Sequence, residues 1–439
     1  MQNFKFKSFL EKIYSNKQSF NKKCILKYES NINCKIDNIC NNNINKKHTF
    51  YMKYPSGTKY FGYGKTLVLD IDTKNDIKIL KKYDYEILTN TTNKVNFFGG
   101  LSFDLIKKNY SPWKNIPKGR FIIPKILIKE KSKKTTITYF KIVNSKTQKS
   151  YLLSEFLKET QIINNINHSK ESTIPKIKIG YENPQKNNYL LNIKKAINKI
   201  NNIDLSKVVI SRMIKYYLNN NLDKKDLIKY LNSKHKNCFN FFINFNKNVS
   251  FIGSTPEKLI RLSSKNKLSI DALAGSSKNK NDLKKIKEID EHNYVIKHIK
   301  NIINPLCSKT NIPKSPKILD LNYIYHLITS ISGTLKNKTH IIDLVNKLYP
   351  TPALLGYKSE KAIEIINNFE KFDRGWYGGC IGTFDTKGNG EFFVPIRSFL
   401  LIRKKIYIFT GSGIVSKSDA NKEWEETKIK SEHILNYFK

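Results

Sequence analysis

Apolar positions along this chain fall into short runs divided by polar clusters. FNFFINF and VSFIGSTPEKLIRL are rich in aromatic and β-branched residues and predict strands. YLLNIKKAINKINN predicts a helix, followed by the β-branched run LSKVVISRMI. KLSIDALAGSSK leads into a long helix through KKIKEIDEHNYVIKHIKNII, and HIIDLVNKL predicts another helix that ends at LYPTPALLG. The stretch Glu370 to Leu435 predicts strand, turn, strand, turn, strand, Gly loop and helix, with Tyr377 and Arg397 on a strand pair and Ser418 and Asp419 as helix-start candidates. In the first half, HTFYMKYPSGTKYFGYGKTLVLDI is β-like, and YFKIVN with SYLLSEFL predicts a strand and then a helix. Residues 160 to 187 are polar, carry two prolines and predict a surface loop. Residues 1–48 form a poorly specified N-terminal segment, a short helix and a strand or two, ahead of a single unit over 49–439.

Composition changes this picture little. Of 439 residues, 39% are hydrophobic and 12% aromatic, enough for a real core. The net charge of +43 would ordinarily point to nucleic acid or an anionic membrane. Lys, Asn and Ile are inflated together along the whole chain while Arg is rare, so the charge is expected to reflect AT-rich codons, with no nucleic-acid partner. The six cysteines include no CxxC pair. With no apolar leader-like run and no stretch of ~20 apolar residues, a cytoplasmic protein without membrane spans is expected.

Several residues could carry chemistry, and each has a plainer reading. Lys207 lies in the apolar run SKVVI, where it is either solvated or buried; in a Lys-rich chain composition favours solvation. Glu257 follows a Thr-Pro pair and could be an ordinary first-turn helix residue. Glu288 and Glu291 are three apart on a helix, as are Glu423 and Glu426, and Lys430 shares the face of the second pair. Either face alone could be merely solvated; together they make an oxygen-rich site suited to Mg²⁺. Ala274-Gly275-Ser276 offers backbone N–H groups and a hydroxyl as an anion cradle. His326 could be an ordinary core histidine. Arg397 can pair bidentately with a carboxylate, with Tyr377 and the backbone at Gly411 and Gly413 completing the clamp.

RGWYGGCIG, GNGEFFVPIRS, TGSGIV and EWEETKIK, in this order and spacing, resemble the C-terminal block of the chorismate-utilising enzymes, and FFGGLSFD and RFIIPKILI resemble earlier segments of the same family. The resemblance covers roughly residues 49 to 435. It implies an α/β fold like that of anthranilate synthase component I: two large antiparallel sheets packed as a sandwich, helices outside, active site in the cleft between. It further implies Lys207 as general base, Glu257 as general acid, and Glu291 and Glu426 as direct Mg²⁺ ligands with Glu288 and Glu423 supporting them. Gly275, Ser276, His326, Tyr377, Arg397, Gly411, Gly413 and Lys430 would bind substrate. The activity implied first is that of isochorismate synthase acting on chorismate for menaquinone or siderophore synthesis, as a monomer or weak homodimer without a glutaminase subunit. Salicylate synthase is the alternative, and a catalytically silent nucleic-acid-binding protein a remote one. Tyr349 departs from the family's usual His, Ser276 from its Thr, and Ser412 from the Ala of its Gly-Ala-Gly segment.

Overall fold

The run FNFFINFN shows how side-chain alternation sets the architecture. It forms the strand Phe239–Asn246. Phe239, Phe241, Ile243 and Phe245 point to one face and join one core cluster, whereas Phe242 points to the other and joins a second. Asn240 and Asn244 share the second face and are buried, but their amides donate to Leu231 O and Ile44 O. Each buried polar group is thereby satisfied, so the strand can be covered on both sides.

The protein is described by a computed structural model covering residues 2–15, 23–44, 48–82, 85–107, 109–161, 173–202, 205–321, 324–357 and 359–439. Among these residues two sheets form, one of thirteen strands and one of ten. In the larger, Lys207–Leu218 and Lys405–Ile414 lie side by side, followed by Ser398–Ile402, Val249–Thr255 and Phe239–Asn246. In the smaller, Tyr325–Leu335, Lys267–Ser277, Lys258–Leu262, Gly390–Phe393 and Cys380–Asp385 run in that order. Pairing is antiparallel except between Cys24–Ile32 and Glu86–Thr89. The principal core draws Phe241 and Phe251 from the larger sheet and Ile260, Ile270 and Phe392 from the smaller, so it fills the space between them. The second core lies on the outer face of the larger sheet, where Phe6, Ile36, Phe156 and Leu227 from four helices cover Ile214, Phe242 and Phe399. This is the expected two-sheet sandwich with outer helices.

The N-terminal segment holds the helix Gln2–Ser15 and the strand Cys24–Ile32, which pairs along its length with Lys134–Val143. The local picture differs from expectation in three places. The polar stretch 160–187 contains the strand Ile177–Asn183, paired with Lys207–Leu218 and largely exposed; residues 162–172 lie outside the described residues. The glycines of TGSGIV are not a loop but part of the strand Lys405–Ile414. Tyr377 and Arg397 flank strands rather than occupying them. Tyr377 precedes Cys380–Asp385, and Arg397 closes the break between Gly390–Phe393 and Ser398–Ile402, where Pro395 supplies no backbone donor.

No helix among the described residues is long and apolar enough to cross a membrane. None of the six cysteines is in a disulfide.

Candidate active site

Two helices bring the acidic residues together. Ile286–Ile303 packs on the strand Lys267–Ser277, anchored by His292, whose ring nitrogens meet Ala274 O at 3.1 Å and Thr329 Oγ1 at 2.8 Å. Ala420–Leu435 packs on Lys405–Ile414, its first turn capped by Asp419, which accepts from Lys422 N. Their facing sides carry Glu288, Glu291, Glu423 and Glu426, all largely buried.

Three ammonium groups meet these four carboxylates. Lys207 is fully buried, with Nζ 3.0 Å from Glu291 Oε1 in an ion pair that lacks hydrogen-bond geometry. This excludes the solvated reading of that lysine. Lys430 pairs with Glu426 Oε1 at 2.5 Å and donates to Gly411 O at 3.0 Å. Lys287, indistinguishable in the sequence from its solvated neighbours, stands among all four. Its Nζ is 3.1 Å from Glu288 and Glu423 and 3.9 Å from Glu291 and Glu426. The one available signal was its position four residues before Glu291, hence on the same helix face.

Burial raises the carboxyls of Glu288 and Glu423, whereas Lys207 and Lys287 hold Glu291 down against burial, and Lys430 and Lys287 do the same for Glu426. The two residues expected to bind a metal directly are therefore those held as carboxylates. Glu423 Oε2 is buried without a hydrogen-bond partner. Hard oxygen donors converging from two helices, one of them unspent, fit Mg²⁺. They are not a preformed cage: among the described residues no three acidic, His or Cys side chains are arranged to hold a metal ion.

Beside this cluster, strands of both sheets line a cavity of about 50 Å³. Glu257, Gly275, Ser276, Glu291, His326, Tyr377, Arg397, Gly411, Gly413 and Lys430 all line it. That volume holds a few waters, so a ring-sized ligand requires side chains to move. Val209, Leu273, Ala353, Leu354 and Ile396 supply apolar wall that motif reading did not identify.

Glu257 lies between two strands of different sheets, not in a helix. Thr255 Oγ1 donates to Val394 O and Val394 N donates to Glu257 O, which fixes the turn. Burial pushes its carboxyl up to about 8, against the pull of Lys207, so it stays protonated at neutral pH.

Arg397 donates through Nη2 to His326 Nε2 at 3.0 Å and through Nη1 to Lys430 O at 3.1 Å, while its Nε is buried without a partner. Burial and Arg397 hold the pKa of His326 well below its ordinary value, which keeps the ring a neutral acceptor. Arg397 is thus braced with a donor to spare. If it clamps a ligand carboxylate, Arg397→Lys loses the planar fork and at least one charge-assisted hydrogen bond. A rise in KM of about tenfold or more is expected; an unchanged KM would place the clamp elsewhere.

The expected anion cradle is already engaged. Gly275, with φ of +79°, forms a bulge in its strand that turns Ser276 N onto Glu288 Oε2 at 2.8 Å, and Ser276 Oγ donates to Glu426 Oε1 at 3.1 Å. Tyr349 is held off the cavity wall, its hydroxyl donating to Ser102 O.

Gly413 shows why glycine occurs within a strand. A Cβ there would lie 2.4 Å from Glu291 Oε1 and 2.8 Å from Lys207 Cε. Both are ends of flexible side chains, so Gly413→Ala should fold and instead displace the two functional groups. Turnover is expected to fall on the order of 10²-fold with the melting temperature little changed; wild-type turnover would show that their placement does not matter.

A family model described as chorismate binding enzyme matches residues 9–439. The curated relative "Isochorismate synthase MenF" of Bacillus subtilis (strain 168) is 29% identical over 431 residues, covering 89% of this chain and 88% of the relative. "Isochorismate synthase EntC" of Escherichia coli (strain K12) is 32% identical over 243 residues, 53% of this chain and 62% of that protein. Among solved structures, the menaquinone-specific isochorismate synthase MenF of Escherichia coli superposes with a TM-score of 0.78 at 19% identity, covering 99% of this chain and 100% of that one. Anthranilate synthase component I of Streptococcus pneumoniae TIGR4 gives 0.70 at 18% identity, covering 86% and 92%. At those identities the structures attest the fold, and the family match spans nearly the whole sequence: the chain belongs to the chorismate-binding enzymes.

Proposed function

We propose that this enzyme is an isochorismate synthase that isomerises chorismate in the presence of Mg²⁺. The observation that carries this reading is a buried, protonated glutamic acid, Glu257, lining one cavity with Arg397, together with a fully buried lysine, Lys207, which pairs at 3.0 Å with Glu291 of the same cavity wall. As general base, Lys207 takes a proton from a water that adds at ring carbon C2. The ring double bonds shift, and Glu257 gives its proton to the hydroxyl leaving C4 as water. One water enters and one leaves, so the net change is an isomerisation. Arg397, braced by His326, holds the enolpyruvyl carboxylate with Tyr377. Mg²⁺, held by Glu291 and Glu426 with Glu288 and Glu423 orienting them, would supply the positive charge that holds the ring carboxylate. Holding one water and two carboxylates in register supplies much of the rate. The product would serve menaquinone or catechol siderophore synthesis.

Incubation with chorismate and Mg²⁺, with chromatographic separation of products, should give isochorismate as the main product. Dominant salicylate with equimolar pyruvate would move the assignment to salicylate synthase. Turnover of neither kind would overturn both.

A further inference from the structure

The Lys287 ammonium lies where a cation held by Glu288, Glu291, Glu423 and Glu426 would lie, at 3.1 Å from two of them and 3.9 Å from the others. Two ammonium groups already pair with this cluster, Lys207 with Glu291 and Lys430 with Glu426, so Lys287 brings a third positive charge to four carboxylates. A lysine and a divalent ion cannot share that position, because like charges a few ångströms apart in a poorly solvated site repel strongly. The lysine also has somewhere to go. An outer groove of about 520 Å³ is lined by Lys287, Glu288, Glu423 and Glu426, whereas Glu291 lines the inner cavity. The Lys287 side chain is 18% exposed. It lines the groove and reaches Glu291, which the groove does not include, at 3.9 Å.

From this geometry we propose that Lys287 is a displaceable internal counter-cation. Its ammonium neutralises the four-glutamate cluster of the metal-free enzyme, and divalent-ion binding requires it to swing into the outer groove. Metal uptake is then an exchange of one cation for another. The affinity for Mg²⁺ is weaker than four carboxylates would give alone, while the metal-free protein is spared a cluster of uncompensated buried charge. The inference rests on the assignment of this cluster to Mg²⁺.

Calorimetric titration of Mg²⁺ into the full chain without chorismate tests it, comparing wild type with Lys287→Met, which keeps the stem and removes the charge. The variant is expected to bind Mg²⁺ at least about tenfold more tightly, to melt lower without metal, and to gain more in melting temperature when Mg²⁺ is added. Equal or weaker binding by the variant, with the wild type binding normally, would overturn the exchange and leave the metal site standing. Mg²⁺ binding by neither protein would remove the metal site and the exchange with it. A second measurement needs no variant. Acetylation of wild-type lysines followed by mass spectrometry should find Lys287 protected without Mg²⁺ and modified with it. Modification unaffected by Mg²⁺ would contradict the displacement even if Lys287→Met failed to fold.

Discussion

Lys207→Ala should lower isochorismate formation on the order of 10²- to 10⁴-fold, the usual contribution of a general base. A solvated lysine would give no loss, but Lys207 is fully buried and pairs with Glu291 at 3.0 Å. Burial also means that the substitution is not structurally silent. Without Lys207, Glu291 loses its 3.0 Å ion pair and is left with Lys287 at 3.9 Å and the influence of Lys430, so some stability should be lost. Circular dichroism and Mg²⁺ titration of the purified variant separate the two effects. A folded, Mg²⁺-binding Lys207→Ala enzyme with a depressed kcat supports a base at this position. Near wild-type turnover would remove Lys207 from the mechanism even though the fold stands.

Glu257→Gln should produce an equally large loss of turnover together with a gain in stability. The carboxyl, which burial raises to about 8, must ionise in the unfolded chain near its ordinary value of 4.5. The folded state therefore binds the extra proton between these values, and Glu257 costs progressively more stability as pH rises from about 4.5 to about 8, at ~1.4 kcal/mol per unit of pKa difference. Gln carries no such cost, so melting temperatures of variant and wild type should diverge above pH 5, with the variant higher. The same group predicts that wild-type kcat falls as pH passes about 8, where the acid loses its proton. Lys207→Ala combined with Glu257→Gln should lose little more activity than either alone, because base and acid serve one step. Melting curves that fail to diverge would show that Glu257 is not held protonated.

What the sequence revealed follows from where the information resides. The alternation in Phe239–Asn246 is local, and it fixed both faces of a central strand. The motifs likewise placed Glu257, His326, Arg397 and Gly413 around one cavity. Lys207 was ambiguous because a Lys-rich composition makes any lysine look solvated; burial depends on the strand Lys405–Ile414 and the helix Ile286–Ile303 closing over it. Lys287 was hidden for the same reason, since two of its four carboxylates belong to a helix more than a hundred residues away in sequence. Gly411 and Gly413 looked like a loop because glycine usually interrupts strands. In the fold they remain in the strand, and at Gly413 a missing side chain leaves room for Glu291 and Lys207. In the strand Ile177–Asn183, Ile177, Ile179 and Tyr181 alternate with Lys178, Gly180 and Glu182, but the run sits in a polar stretch and, at a sheet edge, leaves most of its side chains exposed.

The most direct test is one turnover experiment in ¹⁸O-labelled water. The enzyme is incubated with unlabelled chorismate and Mg²⁺, and the mass of the product is measured. Activation of water by Lys207 and departure of the C4 hydroxyl on the Glu257 proton predict isochorismate carrying one solvent-derived oxygen, at C2. Isochorismate formed without label, or no isochorismate at all, would contradict it.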